Sequence, residues 1–250
     1  MRVLLFGNQI LAARVAACIR NHGDEIVGAV LHPDSRRKAG AEICAAAGVS
    51  LDRVFDGSRL EEPEVCRSLA ALEARIGVSV LFGYILRAGV RELLPEGCVN
   101  LHPGYLPYNR GAYPNVWSIV ERTPAGATLH HMDEGVDTGD IVAQQLVEVE
   151  PTDTGESLYR KLEEVCFEVF ARTWPLLREG RAPRLPQKGE GTFHRVRDTG
   201  AIDEIDLERS YRARDLLDIL RARTFPPHEG AYFRLGAEKV HLKLHLDRNR

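Results

Sequence analysis

The feature that most constrains this chain is the alternation of its first hundred residues. Arg2–Phe6, Glu25–Leu31 and Val78–Phe82 are apolar nearly throughout, Arg2, Glu25 and Ser79 aside, and not at every second position. Runs of that kind are strands covered on both faces. Between them the spacing turns helical. Gln9–His22 carries Ile10, Ala13, Ala17 and Ile19 on one side and stops at Gly23. Arg37–Ala47 predicts a helix ended by Gly48, Pro63–Ile76 one that opens on proline and closes at Gly77, and Ala88–Leu94 a short one. Val49–Phe55 reads as a weaker third strand and Val99–Leu101 as the next. Strand and helix in strict turn predict an α/β fold, a doubly wound, mainly parallel sheet whose ligands bind beyond the carboxyl ends of its strands. The first such end, Phe6-Gly7-Asn8-Gln9, lacks G-x-G-x-x-G, so no dinucleotide is expected there. It predicts a tight turn bordering a substrate anion, with Asn8 as a contact.

Chemistry concentrates in Cys98–Tyr113, CVNLHPGYLPYNRGAY. Val99 and Leu101 alternate with Asn100 and His102, so the amide and the imidazole share one strand face just before a Pro-Gly break. An amide N–H can donate to a developing oxyanion, and an imidazole can take a proton near neutral pH. A satisfied polar pair at a loop start is the plainer reading of the same residues. A second stretch, Ala127–Val142, brings four carboxylates (Asp133, Glu134, Asp137, Asp140) and two glycines (Gly135, Gly139) into one loop. One of those carboxylates can orient the histidine and favour its charged form.

The remainder of the chain predicts a helix over Asn109–Thr123 with Arg110-Gly111 at its entrance. An arginine there can bind a phosphate or orient a substrate, or be an ordinary surface residue. Ala127–His131 and Ile141–Val149 predict an antiparallel pair flanking the acidic loop. Thr152–Glu179 predicts a long helix whose stripe of Leu158, Leu162, Val165, Val169 and Phe170 faces a core. Residues 181–192, rich in Pro, Gly and charge, predict a linker. The division expected is therefore 1–180 as the main domain, 181–192 as linker and 193–250 as an appendage. The appendage holds one helix (Ala213–Ala222) and two strands (Ala231–Leu235, Val240–Leu246), the last strictly alternating.

Composition narrows the function classes. The 250 residues are 44% hydrophobic and 28% charged with a formal net charge of −3, so no bias toward nucleic acid exists. Five scattered cysteines without a C-x-x-C pair read as small hydrophobes of a reducing compartment. The N-terminal apolar run is broken by Gly-Asn-Gln and Arg14, fitting strand-then-helix better than a signal peptide, and no run approaches the ~18 residues of a membrane span. A cytoplasmic protein with no membrane partner is expected. Adjacent His130 and His131 point to opposite faces of a strand, and no metal is expected.

Taken together, Asn-x-His-Pro-Gly-x-Leu-Pro-x-x-x-Gly (100–111) followed by Asp-Glu-Gly-Val-Asp-Thr-Gly-Asp (133–140) resembles the signature of the folate-dependent formyltransferases. The resemblance implies a Rossmann-like core with Asn100, His102 and Asp137 as the catalytic trio. It implies 10-formyltetrahydrofolate as formyl donor, in a pocket built from Phe82, Gly83, Tyr84 and Leu86 and from the acidic loop, including Asp133, Gly135 and Asp140. Asn8, Tyr105, Arg110 and Gly111 are the positions expected to meet the acceptor.

The resemblance fixes the chemistry better than the acceptor. Glycinamide ribonucleotide transformylases lack such a tail, and methionyl-tRNA formyltransferases carry a larger C-terminal barrel. The run Arg223-Thr-Phe-Pro-Pro-His-Glu-Gly-Ala-Tyr-Phe233 is similar to a segment of the nucleotide-sugar N-formyltransferases. A nucleotide-linked amino sugar is therefore the expected substrate. Hydrolysis of the formyl-folate by water, or a binding role without catalysis, are the alternatives from other classes. A homodimer is expected, because the alternating C-terminal strand would otherwise be an open edge.

Overall fold

The computed structural model describes residues 1–247. In chain order the elements are β1 (Arg2–Gly7), α1 (Ile10–Asn21), β2 (Glu25–Leu31), α2 (Gly40–Ala47), β3 (Val54–Asp56), α3 (Pro63–Ala70), β4 (Ile76–Val80), α4 (Ala88–Arg91) and β5 (Cys98–His102). They continue with β6 (Arg110–Gly111), α5 (Pro114–Val120), β7 (Ala125–His131), β8 (Ile141–Val147), α6 (Gly155–Arg178), β9 (Phe193–His194), α7 (Gly200–Asp203), α8 (Ala213–Ala222), β10 (Tyr232–Leu235) and β11 (Glu238–His241). The chain forms two compact units. Met1–His102, Thr128–Gln144 and Cys166–Gln187 make the first; Pro103–Ala127, Gln145–Val165 and the chain from Lys188 onward make the second.

The first unit is built on a seven-stranded sheet in the order β3-β2-β1-β4-β5-β7-β8. β3, β2, β1, β4 and β5 run parallel, and β7 lies antiparallel to β5. Every residue from Val3 to Phe6 is at most 1% exposed, so both faces of β1 are buried. That is the physical reason the run carries no polar alternation. Leu4 and Phe6 join Val27, Val30, Leu69 and Leu94 in one continuous core. From α6 the first unit takes Trp174, whose indole N–H donates to Asp24 (2.9 Å), and Arg178, which pairs with the same carboxylate at 3.0 Å. The predicted α/β sheet is thus the fold observed.

The second unit has its own core of Val116, Ile119, Leu158, Leu162 and Ala222. Its polar centre is Asn109, fully buried. The Asn109 amide donates to Ser118 Oγ (2.9 Å) and Thr123 Oγ1 (2.8 Å), and its backbone N–H to Thr192 Oγ1 (2.8 Å). Trp117 stacks on His194 with ring centres 4.0 Å apart. Strands β6 and β9 pair in parallel, and β10 and β11 form a hairpin.

Several boundaries differ from the sequence reading. The predicted helix over 63–76 stops at Ala70, and Ile76 and Gly77 belong to β4. Glu73, in the left-handed region at φ 48°, marks the break. Strand β4 ends at Val80, and Leu81 turns out of it at φ 50°. Only β3, three residues, survives of the strand expected at 49–55. The helix expected over 109–123 is confined to Pro114–Val120. Asn109 and Tyr113 have positive φ, and Arg110-Gly111 pairs with Phe193-His194 as a strand. Gly111 is needed there, since a Cβ would sit 2.3 Å from the His194 carbonyl oxygen. In α6 the buried stripe takes Cys166 in place of the half-buried Val165. The alternating run at 240–246 stays in a strand only to His241. Beyond it Leu242 and Leu244 bond singly to the Ala231 carbonyl and the Thr224 hydroxyl.

Candidate active site

Strand register brings the site together. In β5, Cys98, Asn100 and His102 point to one face and Val99 and Leu101 to the other. The antiparallel pairing with β7 sets Asn100 directly opposite His130 and His102 opposite Thr128. The acidic loop leaves β7 and places Asp137 beside them. One Asp137 oxygen, Oδ2, lies 3.5 Å from His102 Nδ1. The other, Oδ1, accepts from the Asn100 amide (3.3 Å) and lies 3.4 Å from His130 Nε2. Asn100 Nδ2 also lies 3.2 Å from His130 Nε2. His102 and His130 are only 4% and 1% exposed, so the cluster is shielded from bulk water.

The protons can be assigned from chemistry alone. The His131 carbonyl, 2.8 Å from His130 Nδ1, can only accept. A neutral His130 therefore carries its hydrogen on Nδ1, and its Nε2 lone pair accepts from Asn100. Asp137 can likewise only accept, so both amide hydrogens of Asn100 are taken, one by His130 and one by Asp137. His102 Nδ1 is turned to the carboxylate, the arrangement by which an acid orients an imidazole. The arrangement offers a base, an orienting carboxylate and an amide donor within one hydrogen-bonded group.

The loop that delivers Asp137 is braced from within. The Asp133 carboxylate accepts from the Gly135 N–H (3.0 Å) and the Thr138 hydroxyl (2.6 Å). Asp137 itself sits at φ 54°, a left-handed conformation that aspartate tolerates better than most residues. A Cβ on Gly139 would lie 1.9 Å from the His131 carbonyl oxygen, so only glycine fits that approach. Asp140 faces Arg184 at 3.5 Å.

The other expected contacts fall into two groups. In the first unit, Phe82 and Tyr84 pack with His32 (ring centres 5.6 and 4.9 Å away) beside an exposed Gly83. His32 Nε2 accepts the Gly83 N–H at 3.3 Å, and burial, with Arg36 and Lys38 nearby, pushes the His32 pKa down, in keeping with a neutral ring. Leu86 is 2% exposed and packs in the core, so it has only backbone to offer a ligand. Asn8 is buried and its side-chain oxygen accepts the Lys38 N–H (3.1 Å), bracing the turn. Tyr105, Arg110 and Gly111 belong to the second unit. There Tyr105 and Arg110 are half-buried, and Gly111 is explained by its approach to His194. Cys98 shares the face of Asn100, but complete burial pushes its thiol up and removes it as a nucleophile.

His130 was missed at the sequence level. In the sequence it stands next to His131, and the pair suggests at most a metal ligand. Nothing local tells which residue of one strand will face Asn100 from another.

Comparison with known proteins points to one family. The "Formyl transferase" family profile matches residues 1–173, and an "N-formyltransferase dimerization C-terminal domain" profile matches residues 198–248. A methionyl-tRNA formyltransferase from Symbiobacterium thermophilum is 32% identical over 241 residues, covering 93% of this chain and 72% of that protein. The crystal structure of a 4-N formyltransferase from Francisella tularensis superposes with a TM-score of 0.85 at 25% identity, covering 99% of this chain and 98% of that one. A formyltransferase from Anoxybacillus kamchatkensis, solved with UDP-4,6-dideoxy-4-formamido-L-AltNAc and tetrahydrofolate, gives a TM-score of 0.59 at 27% identity over 80% of this chain and 89% of that one.

Proposed function

This chain belongs to the formyl transferase family and is a formyltransferase, and we propose that it moves a formyl group from 10-formyltetrahydrofolate to the amine of a nucleotide-linked amino sugar. The observation that carries the reaction is the Asn100–His102–Asp137 cluster, held by one strand end and one loop. The acceptor class is supported by the likeness to the 4-N formyltransferase over nearly its whole length, C-terminal appendage included. The complex from Anoxybacillus kamchatkensis, with a UDP-linked formamido sugar and tetrahydrofolate, supports both substrates.

In this reading the neutral amine attacks the formyl carbon directly and the oxygen gains charge. His102 Nε2 accepts the amine proton, a task suited to a group whose ordinary pKa is ~6.5, and returns it to N10 of the folate as the formyl carbon–N10 bond breaks, releasing tetrahydrofolate and the formamide. As His102 becomes charged, Asp137 is drawn to it and releases its bond to Asn100. That frees an amide N–H for the formyl oxygen, and one such donor is worth ~3 kcal/mol of barrier. His130 keeps the other amide hydrogen and so holds the amide plane. Phe82, Gly83, Tyr84 and the Leu86 backbone, with Asp133, Gly135 and Asp140 across the acidic loop, border the flat pterin. Asn8, Tyr105, Arg110 and Gly111 are assigned to the acceptor. Residues 1–180 carry the reaction, 181–192 connect, and 193–250 mediate pairing of two chains, in the cytoplasm, where five free cysteines persist.

A second reading, transfer to methionyl-tRNA, is favoured by the curated relatives. One panel separates them. The protein is incubated with 10-formyltetrahydrofolate and UDP- or dTDP-linked amino sugars, methionyl-tRNA or glycinamide ribonucleotide, and products are weighed by mass spectrometry. The proposal expects one added formyl group on a nucleotide sugar. Formyl-methionyl-tRNA, or formate released with every acceptor absent, overturns it.

A further inference from the structure

Residues 181–192, read from composition as a linker, are irregular yet fastened along the loop that carries Asp137. Leu185 and Ile141 exchange both backbone hydrogen bonds (2.9 and 2.8 Å). Gln187 then turns inward. The two hydrogens of its amide nitrogen go to the Asp137 carbonyl (2.7 Å) and the Gly139 carbonyl (2.9 Å). The orientation is unambiguous, because two carbonyl oxygens can be met only by the NH₂ end of the amide.

The place of this contact matters. Asp137 has φ 54°, a conformation in which a small backbone rotation swings Cβ and the carboxylate together. Its carboxylate meets Asn100 at 3.3 Å and His102 at 3.5 Å, both near the outer limit of a useful contact. A shift of a few tenths of an ångström would end at least one of them. On one side Gly139 lies against the His131 carbonyl, and the His131 N–H donates to the Asp140 carbonyl (2.8 Å). Gln187 closes the loop from the other side and bonds the catalytic residue's own peptide.

The geometry points to Gln187 as a positioning residue for formyl transfer: by holding the Asp137 and Gly139 carbonyls it keeps the Asp137 carboxylate within reach of His102. The charged and titratable groups that bear on His102 here include Asp137 from the loop and His130 from β7 (ring centres 6.4 Å apart). Releasing the loop weakens the first and leaves the second. The inference rests on the reading in which Asp137 and His102 carry the reaction.

The test compares Gln187→Glu, which keeps the shape but replaces both donors by acceptors, with Gln187→Leu and with Asp137→Asn. For each, kcat, both KM values, the pH profile of kcat and the melting midpoint are measured, using whichever acceptor the panel identifies. Both Gln187 variants are expected to lose about ten- to a hundredfold in kcat with KM within about twofold. In Gln187→Leu, which adds no charge, the acid limb of the kcat profile is expected to move to lower pH, because His102 loses part of its stabilising negative partner. A wild-type kcat and limb in Gln187→Leu, with Asp137→Asn inactive, overturns the role of Gln187 alone. So does a loss confined to KM or melting midpoint. Wild-type activity in Asp137→Asn overturns the underlying reading and the inference with it.

Discussion

At the scale of single residues, the site works by sharing. Asn100 has two amide hydrogens, and both have owners: His130 Nε2 at 3.2 Å and Asp137 Oδ1 at 3.3 Å. Asp137 meets Asn100 through Oδ1 and His102 through Oδ2. Such a group answers a charge on one member by rearranging the others, which a set of short, saturated bonds would resist. His102→Ala and Asp137→Asn are expected to cut kcat by at least a hundredfold with an unchanged circular dichroism spectrum, since each removes a group needed only as charge develops. Near-normal turnover in either would remove the trio from the mechanism. His130→Leu is expected to lower kcat less, about tenfold, with KM little changed, because Asn100 keeps its donor but loses the lone pair that fixes its plane. Steady-state kinetics at several pH values read all three. Asn100 and His102 were legible as a pair because strand alternation is a local rule. His130 was not, because cross-strand register is a property of two distant segments.

At the scale of elements, the hairpin of β7, the acidic loop and β8 holds the Asp137 carboxylate, and its strand end carries a titratable group of its own. Burial, with Arg184 beside it, pushes the His131 pKa down to about 4, against the opposing pull of Asp140. The folded chain thus keeps His131 neutral where the unfolded chain, near the ordinary ~6.5, takes up a proton. More protons bound in the unfolded state means stability rises with pH, so stability is lost as pH falls from about 6.5 toward 4 and no further His131 contribution is lost below. Urea midpoints across that range are expected to fall, and His131→Gln is expected to flatten the slope. An unchanged slope in the variant would assign the loss to other groups. The hairpin itself was legible, since two strand-like runs flank a glycine-containing loop. That the downstream segment 184–187 would be bonded along it was not, because its prolines and charges carry no periodicity.

At the scale of the whole molecule, the appendage is the open question that the sequence raised and a measurement settles. Its exposed apolar residues include Leu207, Leu217 and Leu235, each about half accessible or more. The matching C-terminal profile is described as a dimerization domain. Light scattering is expected to return twice the chain mass; a monomer for the intact protein would refute pairing. None of the helices among the described residues is long and apolar enough to cross a membrane. The sequence by itself determined the layering of the first unit, because apolar runs between helical periods admit one kind of sheet. It also determined the family, because a long ordered signature carries Asn100, His102 and Asp137 in a fixed order. Element ends at Ala70, Val80 and Val120 were decided by tertiary structure, where single residues such as Leu81 and Tyr113 accept positive φ that no local preference predicts. So were His130 opposite Asn100 and Gln187 beneath Asp137. These contacts join residues 30 and 50 positions apart, and only the packed sheet brings them within hydrogen-bonding distance.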